Sequence, residues 1–275
     1  MNLVWPAIVI VVITALAVAA MLWVRRDAPE GSRFKDGDRA SGVFGVLATG
    51  FSVLLGFVVF LAFESYDQSR TGAEQEALVL VQQVQTAQFL GAPVSVELTG
   101  ELVCYGRSVI HTEWPRTEAG TQGDAINPWG VELFRTLQTV RPQTSSEEAA
   151  YGQWLDQSSD REAARIDRIH GAVGVIPTPL WVAMILISGV VFVFMLFFAD
   201  SSEGATTQAV LMGSVATVVV AMLLLIQFLD SPFQEGVGGV RPVAMERTLR
   251  IIDEALQAID ERVELPCDAR GNPTS

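Results

Sequence analysis

Glu64 and Asp67 stand three positions apart at the end of a long apolar run, with Tyr66 between them and Arg70 following. Residues three apart share a helical face, so the pair turns two carboxylates to one side. At the rim of a membrane helix such residues mark the exit from lipid, with Tyr66 as an interfacial aromatic. Repeated around an axis by several subunits, they make a ring of charge that concentrates or selects ions. Just before them, Phe60 and Phe63 are suited either to core packing or to an apolar constriction that gates by dewetting. Asp230 closes another apolar run in Leu229-Asp230-Ser231-Pro232-Phe233, where Pro232 stops the helix, Phe233 anchors the turn, and Asp230 is expected to pair with an arginine or add charge at the mouth.

Enzymatic chemistry finds little material. His111 and His170 are the only histidines, and no metalloprotease, nucleophile-elbow or phosphate-loop motif occurs. Cys104 and Cys267 are the only cysteines, which with two scattered histidines opposes a zinc site. No catalytic, cofactor-binding or metal-binding residue is therefore expected, and no cofactor.

The elements that carry these residues are set by hydropathy. The 275-residue chain is 50% hydrophobic yet carries a net charge of −13, so its apolar residues must be segregated. They fall in four uncharged stretches, residues 3–24, 42–63, 180–199 and 205–229. Each is long enough to cross a hydrocarbon core of about 30 Å as a helix. The first reads as a retained span, because it lacks a basic leader and is followed by Arg25 and Arg26 instead of a small-residue cleavage site. The absence of charge within all four opposes an intramembrane enzyme. The fold class is thus an all-α integral membrane protein, with two pairs of transmembrane helices and a helical extramembrane domain between them. The expected divisions are 1–63 for the first pair, 64–179 for the domain, 180–229 for the second pair, and 230–275 for a C-terminal amphipathic helix and tail.

Residues 25–41 read as a polar surface loop, and residues 200–204 as the tight turn of an antiparallel hairpin. Within 64–179 there are 16 acidic residues against 8 arginines. The second membrane helix is expected to continue through residues 74–90, with Ala77, Leu78, Val81, Val84 and Gln88 on one face. Further helices are predicted over 94–114, 128–140, where Pro128 suits the first turn, and 145–169, where Ser145 and Glu148 suggest a capping box. Residues 117–127, with Gly120 and Gly123, read as a loop. Leu249, Ile252, Leu256, Ile259 and Val263 recur at helical spacing, which predicts that the last helix docks on the domain. On the second span, Gly42, Gly45, Thr49, Ser52 and Gly56 form a stripe of small residues whose ordinary purpose is close helix packing.

If all four helices span, the domain and both termini share one side of the membrane. Arg25, Arg26, Arg33, Lys35 and Arg39 in the first loop favour that loop inside, while Arg70, Arg161, Arg165, Arg168 and Arg241 on the domain side weigh against it. Cys104 and Cys267 form a disulfide if that side is oxidising and stay free thiols if it is not.

Several short motifs occur in a fixed order: Gly56-Phe57 and Glu64-Ser65-Tyr66-Asp67, Glu113-Trp114-Pro115, Ile176-Pro177 and Leu180-Trp181, and Leu229-Asp230-Ser231-Pro232-Phe233. With the helix order, they resemble the bacterial bestrophin-like membrane proteins over residues 42–242. The resemblance implies a homo-oligomeric ion channel in the bacterial inner membrane, with the second helix lining the pore, an apolar neck, and a Pro-Phe-Gly turn after the last span. Pro232 and Phe233 match that turn; Gln234 replaces its glycine. The implied partners are the lipid bilayer, further copies of the chain and small ions, and no nucleic acid. Glu64 and Asp67 disfavour anions at the mouth, which leaves cation conduction open. The alternative is a non-conducting membrane protein whose acidic domain binds a partner or relays a signal.

Overall fold

A computed structural model describes residues 4–31, 33–121, 126–258 and 263–274. Leu3, Gly123 and Ile259, read above as parts of a span, a loop and a helix, lie outside the described residues. The chain is all-α. Among the described residues no strand forms, and the one extended pairing is the bridge between Cys267 and Pro273. The helices are α1 (Val4–Arg26), α2 (Gly37–Ala87), α3 (Val94–Ser108), α4 (Trp114–Glu118), α5 (Pro128–Thr139), α6 (Ser145–His170), α7 (Thr178–Phe197), α8 (Ala205–Leu229) and α9 (Val243–Ala258). Of these, α1, α2, α7 and α8 are long and apolar enough to cross a bilayer.

Two compact units result. One comprises Met1–Ser65, Gly174–Ser231 and Gly236–Gly238; the other comprises Tyr66–Val173, Pro232–Glu235 and Gly239–Ser275. In the first, α1 packs antiparallel to α8. Thr14 meets Thr217 through their hydroxyls at 3.1 Å, and Gly213 leaves only 3.3 Å between a would-be Cβ and Val18. Close backbone approach at a small residue is how helices associate where lipid removes the hydrophobic drive. Phe51, Leu55 and Val58 of α2 share a core with Met184 and Val191 of α7 and with Val219 and Ile226 of α8.

The first connection is shorter than expected, because α2 begins at Gly37, with Asp36 Oδ1 accepting from the Arg39 amide at 3.0 Å. The two connections of this unit meet at one end. Arg25 donates to the carbonyl oxygens of Ser201 (3.1 Å) and Glu203, and the Arg33 amide donates to Phe197 O at 3.3 Å.

In the second unit the rest of α2 packs with α3, α5, α6 and α9 around Leu80, Leu98, Leu102, Tyr105, Leu133 and Trp154. The buried face of α2 here is Ala73, Ala77, Leu80, Val84 and Ala87. Leu78 and Gln88, assigned to that face from sequence, are exposed. Ala77 and Val84 belong to both faces, so the buried face is only rotated to one side of the expected one, and Leu78 is apolar without being buried. The helix predicted over 94–114 divides into α3, a π-helical turn at Val109–Glu113, and α4. The α6 cap lies one residue earlier than predicted. Thr144 Oγ1 accepts from the Glu147 amide at 3.1 Å, and Glu147 Oε2 accepts from the Gln143 amide. As the apolar spacing predicts, α9 docks: Met245 and Ile252 are buried, Leu249 abuts Gly106, and Thr248 Oγ1 donates to Ala77 O at 3.1 Å.

Candidate functional site

The face of α2 that carries the small-residue stripe is turned away from the rest of its unit. Gly42, Gly45, Thr49, Ser52 and Gly56 are exposed, and a Cβ on any of the three glycines would meet nothing within 4 Å. The packing expected of this stripe is therefore not made within the chain. Phe60 (61% exposed) and Phe63 (52%) continue the same outward face, and Phe57 stands beside them at 60%. Glu64 and Asp67 follow, both exposed. Large aromatics and glycines left bare on one face of a helix that buries Phe51, Leu55, Val58 and Ala62 on the other define a surface available to lipid or another subunit.

Asp230 is not at that surface. Its Oδ1 accepts from the amides of Val175 (2.7 Å) and Ile176 (3.0 Å), and Trp181 Nε1 lies 3.4 Å from Oδ2. Gly174, at φ +75°, wraps the backbone around this carboxylate, where a Cβ would lie 3.1 Å from Oδ2. Only a residue without a Cβ adopts that conformation cheaply. The arginine partner expected of Asp230 is replaced by the amides leading into α7. Within the other unit, Pro232 accepts at its carbonyl from the Val240 amide (2.8 Å), and Phe233 is buried edge-on against Trp114 at 5.5 Å. Both post-helix turn residues are thus parts of a packed corner, and Gly239 is held where a Cβ would collide with Gln234 O.

The sequence reading missed a buried ionic network in the domain. Arg168 of α6 donates to both oxygens of Glu76 on α2 and, at 2.6 Å, to Glu113 Oε2 in the π turn. Glu113 also accepts from Arg165 (3.2 Å) and from Asn127 (2.8 Å), while Tyr105 donates to Glu76 at 2.6 Å. Arg161 reaches Gln83 at 2.6 Å and lies over the Tyr105 ring. Burial acts to raise the Glu113 carboxyl, but Arg168 and Arg165 outweigh it and hold the group below its ordinary value. Of the five arginines expected to flank the membrane, Arg161, Arg165 and Arg168 are therefore spent inside the domain, while Arg70 pairs with Glu74 at the surface. The available signal was their 4-and-3 spacing, which puts Arg161, Arg165 and Arg168 on one face of α6.

Four lipid-length helices in two sequence pairs, joined through a helical domain with a buried ionic core, define an all-α multi-pass membrane protein of the bestrophin architecture. The family model for the bestrophin-like domain matches residues 11–245, and the chain belongs to that family. A crystal structure of a point variant of a bacterial bestrophin homologue from Klebsiella pneumoniae is similar at a TM-score of 0.67 and 13% identity, over 94% of this chain and 100% of that one. The Klebsiella pneumoniae homologue solved by zinc phasing gives 0.66 at 11% identity over 95% and 100%. At such identity the likeness shows the fold. No curated protein matches the chain.

Proposed function

We propose that the protein is an oligomeric ion channel of the bacterial inner membrane in which α2 lines the pathway. The observation that carries this reading is the outward face of α2, where Gly42, Gly45 and Gly56 are followed by Phe60, Phe63 and then Glu64 and Asp67, all exposed in the single chain. Small residues let copies of α2 approach an axis, the phenylalanines narrow it to a gate that closes by dewetting, and the carboxylates draw cations to its mouth. Asp230 fixes the chain leading into α7 and takes no part in the mouth, while Pro232 and Phe233 hold the corner after α8.

Two further observations support a sidedness for this reading. Cys104 and Cys267 are joined by a disulfide, a bond that persists on the oxidising side of a membrane. The first connection and the helix ends beside it, residues 25–41, carry five basic residues, and positive charge in and beside short connections marks the cytoplasmic side, whereas long domains cross regardless of charge. The domain is accordingly external, as are Glu64 and Asp67.

The test is reconstitution in planar bilayers under a salt gradient, beside Glu64→Gln and Asp67→Asn. Unitary currents that reverse near the cation potential, and less so in the two variants, support the reading. A folded oligomer that stays silent across pH, calcium and voltage overturns it in favour of a domain that binds a partner.

A further inference from the structure

A groove of about 980 Å³ opens in the domain between α3, α5 and the C-terminal tail. Four carboxylates line it: Glu97 and Glu101 from α3, Glu132 from α5 and Glu264 from the tail. Glu97 and Glu264 are exposed, and Glu132 is half-buried and pairs at its outer side with Arg135 at 2.6 Å. Glu101 is different, being only 6% exposed. Its Oε1 accepts from Thr136 at 2.8 Å, but its Oε2 is buried without any hydrogen-bond partner. A buried carboxylate oxygen left unpaired is costly unless something supplies the missing donor. Burial, with Glu97 and Glu132 adding repulsion, raises the Glu101 carboxyl to about 7, as expected of a group that lacks its counter-charge.

The carboxylates are set among apolar side chains, Val96, Trp129, Leu265 and Pro266. Among the described residues no three acidic, histidine or cysteine side chains come close enough to hold one metal ion. Charges dispersed along an apolar groove match a ligand whose positive charges are themselves dispersed along an apolar chain. We propose that this groove binds a linear oligoamine, with one ammonium donating to Glu101 Oε2 and others reaching Glu132, Glu97 or Glu264, while the methylene segments lie on Val96, Trp129 and Pro266. A terminal ammonium brings three donors and an internal one two, with no acceptor on either, which suits a carboxylate oxygen that lacks a donor. The tail that forms one wall is held in place by three bonds. Cys267 is bonded to Cys104, Arg107 donates to Asp268 O at 3.1 Å, and Trp129 Nε1 donates to Gly271 O at 2.6 Å. The proposal does not rest on the channel reading, since every residue in it belongs to the second unit.

The experiment is titration calorimetry of the full-length protein in lipid nanodiscs with spermidine, n-hexylamine and calcium as separate probes. Spermidine should bind saturably and more tightly than n-hexylamine. Glu101→Gln and Glu132→Gln should each weaken it on the order of tenfold, the loss of one charge-assisted contact. Glu97→Gln and Glu264→Gln, at exposed positions that folding tolerates, should weaken it less, and Glu254→Gln on the outer face of α9 should leave it unchanged. If spermidine binds no more tightly than n-hexylamine, or Glu254→Gln weakens it as much as Glu132→Gln does, the attraction is diffuse charge and the proposal is wrong. It is equally overturned if calcium binds with dependence on Glu101 and spermidine fails to displace it.

Discussion

Arg168 and Glu76 meet as a fully buried ion pair, both side chains 0% exposed, although they lie 92 residues apart on α6 and α2. Each is held by further groups, Glu76 by Tyr105 and Arg168 by Glu113. Burial costs both ions their hydration, so the pair is stable only while it is complete. Arg168→Met should therefore destabilise the protein by about 3–5 kcal/mol, because it leaves Glu76 as a lone buried charge. Thermal unfolding of the purified protein checks this, and a loss below about 1 kcal/mol, the range of surface pairs, would show that water reaches Glu76.

The same interface limits residue size. At Gly72 a Cβ would run into the Arg168 amide and lie 2.8 Å from Ala164 O, both of them backbone atoms that cannot swing aside. Gly72→Ala should separate α2 from α6, with a stability loss in the upper range for single substitutions, more than about 3 kcal/mol. Gly152→Ala, where nothing lies within 4 Å, should be neutral or slightly stabilising, as alanine favours a helix. Paired melting curves of the two variants separate close packing from helix propensity.

Two buried carboxyls give opposite pH dependences. Glu113 is held below its ordinary range by Arg168 and Arg165 against the effect of burial, so its contribution to stability is present at neutral pH and lost as pH falls through that depressed range. Glu101 is raised to about 7 by burial first and by Glu97 and Glu132, so the folded state binds its proton more tightly than the unfolded one. That contribution is complete below the ordinary glutamate range and is lost as pH rises through about 7. Between about pH 5 and pH 8 the wild-type melting temperature should fall relative to Glu101→Gln, and parallel curves for the two proteins would remove the linkage.

The four spans were legible because lipid demands about 20 apolar residues in a row and the chain can meet that demand only locally. The docking of α9 was legible for a similar reason, since Leu249, Ile252 and Leu256 repeat at helical period. The ionic network was not. Glu76 sits beside Glu74 and Gln75 in a polar run, and nothing near it in sequence indicates that its partner is Arg168. The acidic groove was hidden more deeply, because Glu97, Glu101, Glu132 and Glu264 come from three separate segments and converge only after the tail folds back onto α3 and α5. Of the candidate site, the outward residues of α2 could be named from the pattern, but Asp230 could not be separated from them. Its acceptors' partners are backbone amides, which every residue carries and no sequence motif displays.

The tail offers a test of how the groove wall is held. Cys267 is 6% exposed and bonded to Cys104, and the turn beyond it places Gly271, at φ +80°, against the backbone of Ser108. Cys267→Ser should cost about 2–4 kcal/mol by releasing a long covalent loop. The loss should be local as well as global. Hydrogen exchange should speed first at Asp268, Gly271 and Thr274, whose amides bond to Asn272 O, Asp268 O and Pro266 O, while α6 remains protected. Unchanged exchange in the tail would mean that Trp129 and Arg107 hold it without the disulfide.

Asp230 is held as a structural carboxylate, by amides of its own unit. Its Oδ1 takes the amides of Val175 and Ile176, and Asp230→Ala would leave two donors without an acceptor, a loss of about 1–3 kcal/mol if they stay buried. Asp230→Asn keeps an oxygen for those amides and removes the charge. If Asp230 serves only the chain leading into α7, Asp230→Asn should leave the reversal potential of reconstituted currents unchanged while Glu64→Gln shifts it, and Asp230→Ala should lower the melting temperature without altering selectivity in the channels that remain. A shift in Asp230→Asn equal to that in Glu64→Gln would place this carboxylate within the field of the pathway. The distinction is sharp because a field effect depends on charge and is kept by neither variant, whereas an acceptor effect depends on an oxygen that asparagine retains.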